Sequence, residues 1–292
     1  MPTLLAPLNL RLLAAVGGTP GWLDVMSTSF MRHAVLAGTL VALAAGPIGY
    51  FVVVRRETFA AHALAHVGFP GATAALLVGA PVTVGLAVAC VGGAVAIWSL
   101  GPRVDDRDVS TGSVLAAATA LGILFASLAS EGATAVSNVL FGNLLSVTVP
   151  QLVAFGVLAA AVLVVLAVIG RPMRYASIHP PVAAAGGVPV RALGLAFTVL
   201  LALVTVMAIQ VVGTLLLFAL VVTPAATALA LSARPAVAIG LATADAIASV
   251  WAGLLLSAVF DLPPSFPIVA VSFAGWAVVT LLSRIRHERG SA

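Results

Sequence analysis

The sequence predicts an all-α membrane protein of about nine transmembrane helices, with its amino terminus outside and its carboxyl terminus in the cytoplasm. Composition, the spacing of charges and the placement of arginines each point there. Of the 292 residues, 62% are hydrophobic and 8% charged, against an apolar share of about 45–50% in a soluble domain. Mean hydropathy is +1.22. A hydrocarbon core about 30 Å thick takes roughly 20 helical residues to cross, and every backbone group inside it must bond internally.

Residues 1–29 lack a basic start before their apolar stretch, and Pro7, Gly17, Gly18 and Pro20 interrupt it. An outer interfacial helix is expected there rather than a cleaved signal peptide. Runs free of Asp, Glu, Lys and Arg come next. They separate Arg32 from Arg55 (22 residues), Glu57 from Arg103 (45), Asp108 from Glu131 (22), Glu131 from Arg171 (39), Arg191 from Arg234 (42) and Asp261 from Arg284 (22). The 45-residue run divides near Gly79-Ala80-Pro81 and the 42-residue run between Gln210 and Gly213. In the 39-residue run, positions 132–149 are rich in Gly, Ser, Thr and Asn and read as an interfacial segment before one span at about 150–170. Pro235 to Phe260 is a further span broken only by Asp245, which makes nine. The expected organisation is an interfacial segment (1–29), one transmembrane domain (30–283) and a cytoplasmic tail (284–292).

The chain has no lysine, so its 13 basic residues are all arginine. With the carboxyl terminus inside, eleven of them fall on inner loops and only Arg11 and Arg32 on the outer side. That asymmetry sets the orientation. It also accounts for the basic balance without a nucleic-acid partner, since no basic soluble face is present. Arg103, Asp105, Asp106, Arg107 and Asp108 read as a solvated inner loop. Cys90 is the only cysteine and lies mid-span, as core packing rather than part of a disulfide framework.

Transporters, channels, receptors and intramembrane enzymes share this composition, so function must be sought in the few polar residues at depth. A phosphate-cradling G-x-x-x-x-G-K-[ST] loop is excluded by the lack of lysine; if ATP drives this protein, a separate subunit binds it. In "AHALAHVGFPG" (61–71), His62 and His66 stand at i and i+4, so on a helix their imidazoles leave one face on adjacent turns. Neutral imidazole suits zinc, copper, iron or nickel, and a pair supplies two of the four ligands zinc prefers. The alternative is that each histidine only hydrogen-bonds its surroundings. H-E-x-x-H is absent, which disfavours metalloprotease chemistry. Gly68, Pro70 and Gly71 come immediately after, and a bend or break is expected just beyond the histidines.

These residues resemble a known family. "RRETFAAHALAHVGFPGATAALLVG" (55–79) is similar to the element of the zinc/manganese/iron ABC transporter permease family in which an Arg-rich turn precedes G-D-A-L-S-H-A-x-x-P-G. "LFGNLLSVT" (140–148), "VGTLLLFALVVTPAATALAL" (212–231) and "FDLPPSFPIVAV" (260–271) agree in order and spacing, so the resemblance covers about residues 30–283. It implies a non-enzymatic membrane subunit of the cell (plasma or inner) membrane, acting as a homodimer. A cytoplasmic ABC ATPase dimer would hydrolyse the ATP, and an extracytoplasmic metal-binding protein would deliver the cargo. No permanently bound cofactor is implied. The cargo is Zn²⁺, Mn²⁺ or Fe²⁺.

The family has Asp then His at the paired site; His66 matches the second, and His62 replaces the first. A softer nitrogen in place of a hard oxygen moves the expected cargo from manganese toward zinc. "SIHPPVAAAGGVPV" (177–190) is similar to the family segment that seats in the ATPase. His179, Pro180, Pro181, Val182, Ala183 and Gly187 are therefore expected to couple to it, although His179 and Pro181 replace an acidic pair. Gly186 and Gly187 limit that helix to barely two turns. Asn143 replaces the Asp of the family's L-F-G-D stretch.

Asp245 and Asp261 are pathway candidates. Asp245, within a span, is expected to face the dimer axis or a pore, or to pair with an inner-loop arginine. Asp261 is expected to cap the last span and to stand at the outer mouth. The competing classes are another metal or a metal-chelate ABC permease, an ion-coupled secondary transporter, and an intramembrane enzyme. A secondary transporter would show paired interrupted helices in two halves, and no second copy of "AHALAHVGFPG" is found. The enzyme reading lacks H-E-x-x-H, a lysine nucleophile and a G-x-S-x-G turn.

Overall fold

The computed structural model describes residues 28–101, 107–129, 137, 139–214 and 217–290. The helices in chain order are α1 (Ser29–Val54), α2 (Thr58–Leu77), α3 (Val82–Leu100) and α4 (Arg107–Leu128). After a single 3₁₀ turn, Leu144–Ser146, come α5 (Val149–Ile178), α6 (Pro180–Ala185), α7 (Val190–Val212), α8 (Leu217–Val221), α9 (Thr223–Leu231), α10 (Pro235–Phe260) and α11 (Ser265–Gly290). No strand occurs among the described residues. The expected interfacial segment falls mainly outside the described residues, as do Arg103, Asp105 and Asp106.

α1 and α7 form the centre. α1 packs on α5, α7, α9 and α10, and most of its residues from Val41 to Val52 are buried. Small side chains make this possible, because between lipid-bathed helices close backbone approach is the main source of attraction. Gly46 sits against the Thr243 backbone of α10, at 2.6 Å from where a Cβ would stand, and Gly49 against the Val221 carbonyl. The outward faces of α5 and α11 carry exposed Val157, Val164, Val168, Phe273, Val278 and Leu281, the composition expected of lipid-facing surface.

Two of the nine expected segments fall outside the set of long apolar helices. Among the described residues, seven helices are long and apolar enough to cross a membrane: α1, α3, α4, α5, α7, α10 and α11 up to Ser283. α2 has the length, about 30 Å at 1.5 Å per residue, but is missing from that set; it is the helix that carries two histidines. The expected span after Gly213 is split at Val222 into α8 and α9, together Leu217–Leu231. Pro224 lies in the first turn of α9, where its missing N–H removes a helical bond and a new helix begins.

Two further expectations are corrected. Of the bend or break expected beyond the histidines, the break is absent: α2 runs as one helix through Pro70, because the proline deletes only one hydrogen bond and α3 and α4 pack along the helix. Asp261 does not cap the last helix at its start. It adopts the left-handed conformation (φ 53°) at the end of α10, with the Leu262 N–H donating to the Ser257 carbonyl at 3.2 Å, while α11 begins at Ser265. The helix thus closes by its own carbonyls.

At the end of α7 the chain crosses itself at two glycines with positive φ, Gly142 (72°) and Gly213 (83°). Only glycine fits, since a Cβ on Gly142 would meet Gly213 N at 2.6 Å. Here Asn143 N–H donates to the Gln210 carbonyl at 3.2 Å, Thr214 N–H to the Val139 carbonyl at 2.9 Å, and Ser265 Oγ to the Phe141 carbonyl at 2.8 Å. The stretches 140–148, 212–231 and 260–271, far apart in sequence, are stitched together at this end.

Candidate metal site

α2 is joined to α1 through a tight turn. Glu57 N–H donates to the Val52 carbonyl (2.9 Å) and Arg56 N–H to the Val53 carbonyl (3.1 Å), with Arg56 left-handed at φ 58°. This pair of bonds closes α1 and lets α2 start at Thr58. Its alternating Ala, Gly and Thr side chains let α3 and α4 approach closely: Gly71 and Gly85 face one another so tightly that a methyl on either would overlap the other's carbonyl. Gly68 fits against Cys90, Ile209 and Leu86, and Cys90 is fully buried with Sγ 3.5 Å from the Leu64 carbonyl.

His62 and His66 are half-buried one turn apart, with ring centroids at 4.8 Å and planes at 72°. With metal–nitrogen bonds of about 2.1 Å, that separation allows one ion to lie between both imidazoles. The Phe218 ring of α8 stands edge-on to His62 at 6.5 Å, so the broken α8–α9 segment closes one side. Pro70 lies four residues beyond His66 in the same helix; lacking an N–H, it leaves the His66 carbonyl without its helical donor. The locus therefore offers two imidazole nitrogens, while the His66 carbonyl points along the helix toward Pro70 and away from them. Among the described residues no third His, Cys, Asp or Glu joins the pair, so any remaining ligands are water or partner groups.

The other sequence-predicted residues lie elsewhere. Asp245 is half-buried in α10, which packs mainly on α1, α9 and α11. Its Oδ2 is buried with no hydrogen-bond partner and no described arginine pairs with it; Oδ1 lies 3.7 Å from where a Cβ on Gly275 would stand. His179 is at once the last cap of α5 and the first of α6, with Pro180 and Pro181 in the first turn. Gly187 (φ 80°) ends α6, with the Val188 N–H on the Ala183 carbonyl at 3.0 Å. Val182 is 56% exposed, but Ala183 is fully buried against Ala176 and Leu193. Ala183 is thus the anchor of α6 to α5 and α7, leaving Pro181, Val182 and Ala184 on its open face.

Sequence reasoning missed a second polar locus. Thr83, Asn143, Ser146, Gln151 and Gln210 line a cavity of about 180 Å³ between α3, α5, α7 and the 3₁₀ turn. Thr83 Oγ1 donates to Gln210 Oε1 at 3.1 Å. The two glutamines are the only ones in the chain, and that rarity within apolar sequence was the available clue.

A family model described as "ABC 3 transport family" matches residues 27–284. The chain belongs to this family. Similar proteins include the manganese transport system membrane protein MntC of Halalkalibacterium halodurans, 32% identical over 89% of each chain. They also include a Haemophilus influenzae protein described as a "Probable iron transport system membrane protein", 26% identical over 90% of this chain and 97% of that one. Among solved structures, PsaBC from Streptococcus pneumoniae in complex with Fab superposes with a TM-score of 0.79 at 26% identity, covering 88% of this chain and 94% of that one. This permease is therefore a multi-pass protein of the cell membrane, of the metal-importing ABC type. These two relatives are named for manganese and iron, not zinc.

Proposed function

We propose that this permease is the membrane subunit of an ATP-driven importer that receives a divalent transition metal from an extracytoplasmic binding protein and passes it through the His62–His66 site. The observation that carries this reading is the half-buried pair of imidazoles 4.8 Å apart on a helix packed inside the family's fold. Two imidazoles with water bind an ion less tightly than a closed four-ligand site, which suits a step that must also release it. The permease works as a homodimer, amino terminus outside and carboxyl terminus in the cytoplasm, with nine crossings counted to include α2 and the α8–α9 pair. The open face of α6 seats in a cytoplasmic ATPase dimer that binds the ATP. Asp245 lines the path or the dimer axis, and Asp261 stands at the outer mouth.

Zinc is the cargo favoured by the ligand set, because nitrogen at position 62 replaces the family's harder oxygen. Manganese is the second reading, favoured by the names of similar permeases. Uptake into liposomes carrying the permease, its ATPase and its binding protein decides both points. His62→Ala with His66→Ala is expected to abolish uptake of either metal while the complex still assembles; uptake at the wild-type rate rejects the site. His62→Asp is expected to raise manganese uptake relative to zinc, and an unchanged ratio assigns the choice of metal to other groups.

A further inference from the structure

Arg55 lies at the junction of α1 and α2, and its side chain is 9% exposed. Its Nε and Nη2 donate to Glu57 Oε1 at 3.1 and 2.9 Å. Its Nη1 reaches Ser177 Oγ at 3.4 Å, the long end of hydrogen bonding, and its guanidinium lies 5.0 Å from the ring centroid of Phe197. One planar cation thus touches three elements. Glu57 is the cap position from which α2 starts, five residues before His62. Ser177 is the penultimate residue of α5, two before the residue that opens α6, and Phe197 belongs to α7, the helix after α6. α6 is itself fastened to the same two helices by Ala183, packed on Ala176 and Leu193. Any displacement of α6 must therefore carry the end of α5 and the start of α7, both of which bear on Arg55. Glu57 is the acidic partner Arg55 holds, and it lies at the base of the histidine helix.

We propose that Arg55 is the positioning residue that links the α5–α6–α7 junction to the base of α2, so that movement imposed on α6 tilts the helix carrying His62 and His66. The proposal rests on the reading of α6 as the ATPase seat. A guanidinium is suited to the task because its fork donates in two directions while its face stacks on an aromatic ring, which an ammonium cannot do together.

The test measures metal uptake and ATP hydrolysis on the same liposomes, holding permease, ATPase and metal-binding protein. Arg55→Gln is expected to lower metal moved per ATP by about tenfold, the scale of a typical coupling between sites, with hydrolysis within about twofold of wild type. Arg55→Lys is expected to fall between the two. Ser177→Ala combined with Phe197→Leu approaches the link from the other side, serves if the Arg55 variants fail to fold, and is expected to act in the same direction. Unchanged metal per ATP in the folded variants overturns the proposal. The double exchange Arg55→Glu with Glu57→Arg restores an ion pair but removes the reach to Ser177 and Phe197; recovery of coupling would show that the pair alone matters and would also overturn it. Ala184→Cys, exposed on α6, keeps the two readings apart, since the native Cys90 is buried and does not compete. A cross-link from Ala184→Cys to a cysteine in the ATPase cleft, equally in wild type and Arg55→Gln, supports α6 as the seat. Its failure to form removes that reading, and the link with it, whatever the Arg55 variants do.

Discussion

The middle of α2 and its base are held in opposite ways. Around the histidines the helix is gripped by shape: Gly71 meets Gly85, Gly68 meets Cys90 and Leu86, and Gly122 of α4 meets the ring of Phe69. At the base, the grip is polar, a nearly buried Arg55–Glu57 pair at 2.9 Å with side chains 9% and 10% exposed. Glycine contacts are stiff and short-ranged, because an added atom would overlap backbone at Gly71 and Gly85 and packed side chains at Gly68 and Gly122. A charge pair can tilt and keep most of its energy. The difference suits a helix whose site must keep its geometry while its root moves with another element.

Substitutions can break either side of that contrast. The largest effect is expected from Gly71→Leu, whose side chain would collide with the Gly85 carbonyl and Ala89; overpacking against backbone should cost about 3 kcal/mol or more. Loss of folded permease in size-exclusion chromatography checks it, and a stable variant would mean that α2 and α3 can separate. Glu57→Gln keeps an acceptor but leaves the Arg55 charge without its acidic partner. It is expected to cost about 2 kcal/mol, read as a lower midpoint in a thermal unfolding scan and reduced by rising salt in the wild type only. Cys90→Ala removes one buried sulfur beside Gly68 and should cost about 1 kcal/mol, with metal uptake unchanged. A large loss of uptake in that variant would show that packing behind α2 sets the site more than the charge pair does.

Hydropathy and charge spacing made the class of fold legible, and several boundaries with it. The divisions at Gly79–Pro81 and Gln210–Gly213 fall where α2 and α7 end. Those boundaries are local: glycine in the left-handed conformation and proline without its N–H act within one turn. The breaks that failed were also local readings, but of residues whose outcome neighbours decide. Pro70 and Pro224 carry the same chemical defect. The helix around Pro70 continues between α3 and α4, whereas that around Pro224 divides beside α1, where the Val221 carbonyl is packed on Gly49. Asp261 looked like an N-cap because it precedes two prolines, yet it closes the previous helix.

By itself the sequence determined the properties that depend on composition and on short-range spacing. It established a membrane protein by its apolar content and two imidazoles on one helical face by their i, i+4 spacing. Only the tertiary structure decided which partners meet. It placed Phe218 beside His62, left Asp245 apart from the pair, turned Ala183 inward as the anchor of α6, and put Ser177 and Phe197 around Arg55, 122 residues away from Ser177 in the chain. The reason is physical. Helical periodicity fixes which side chains share a face, but which helix lies opposite that face depends on close approach of small residues spread over the whole chain.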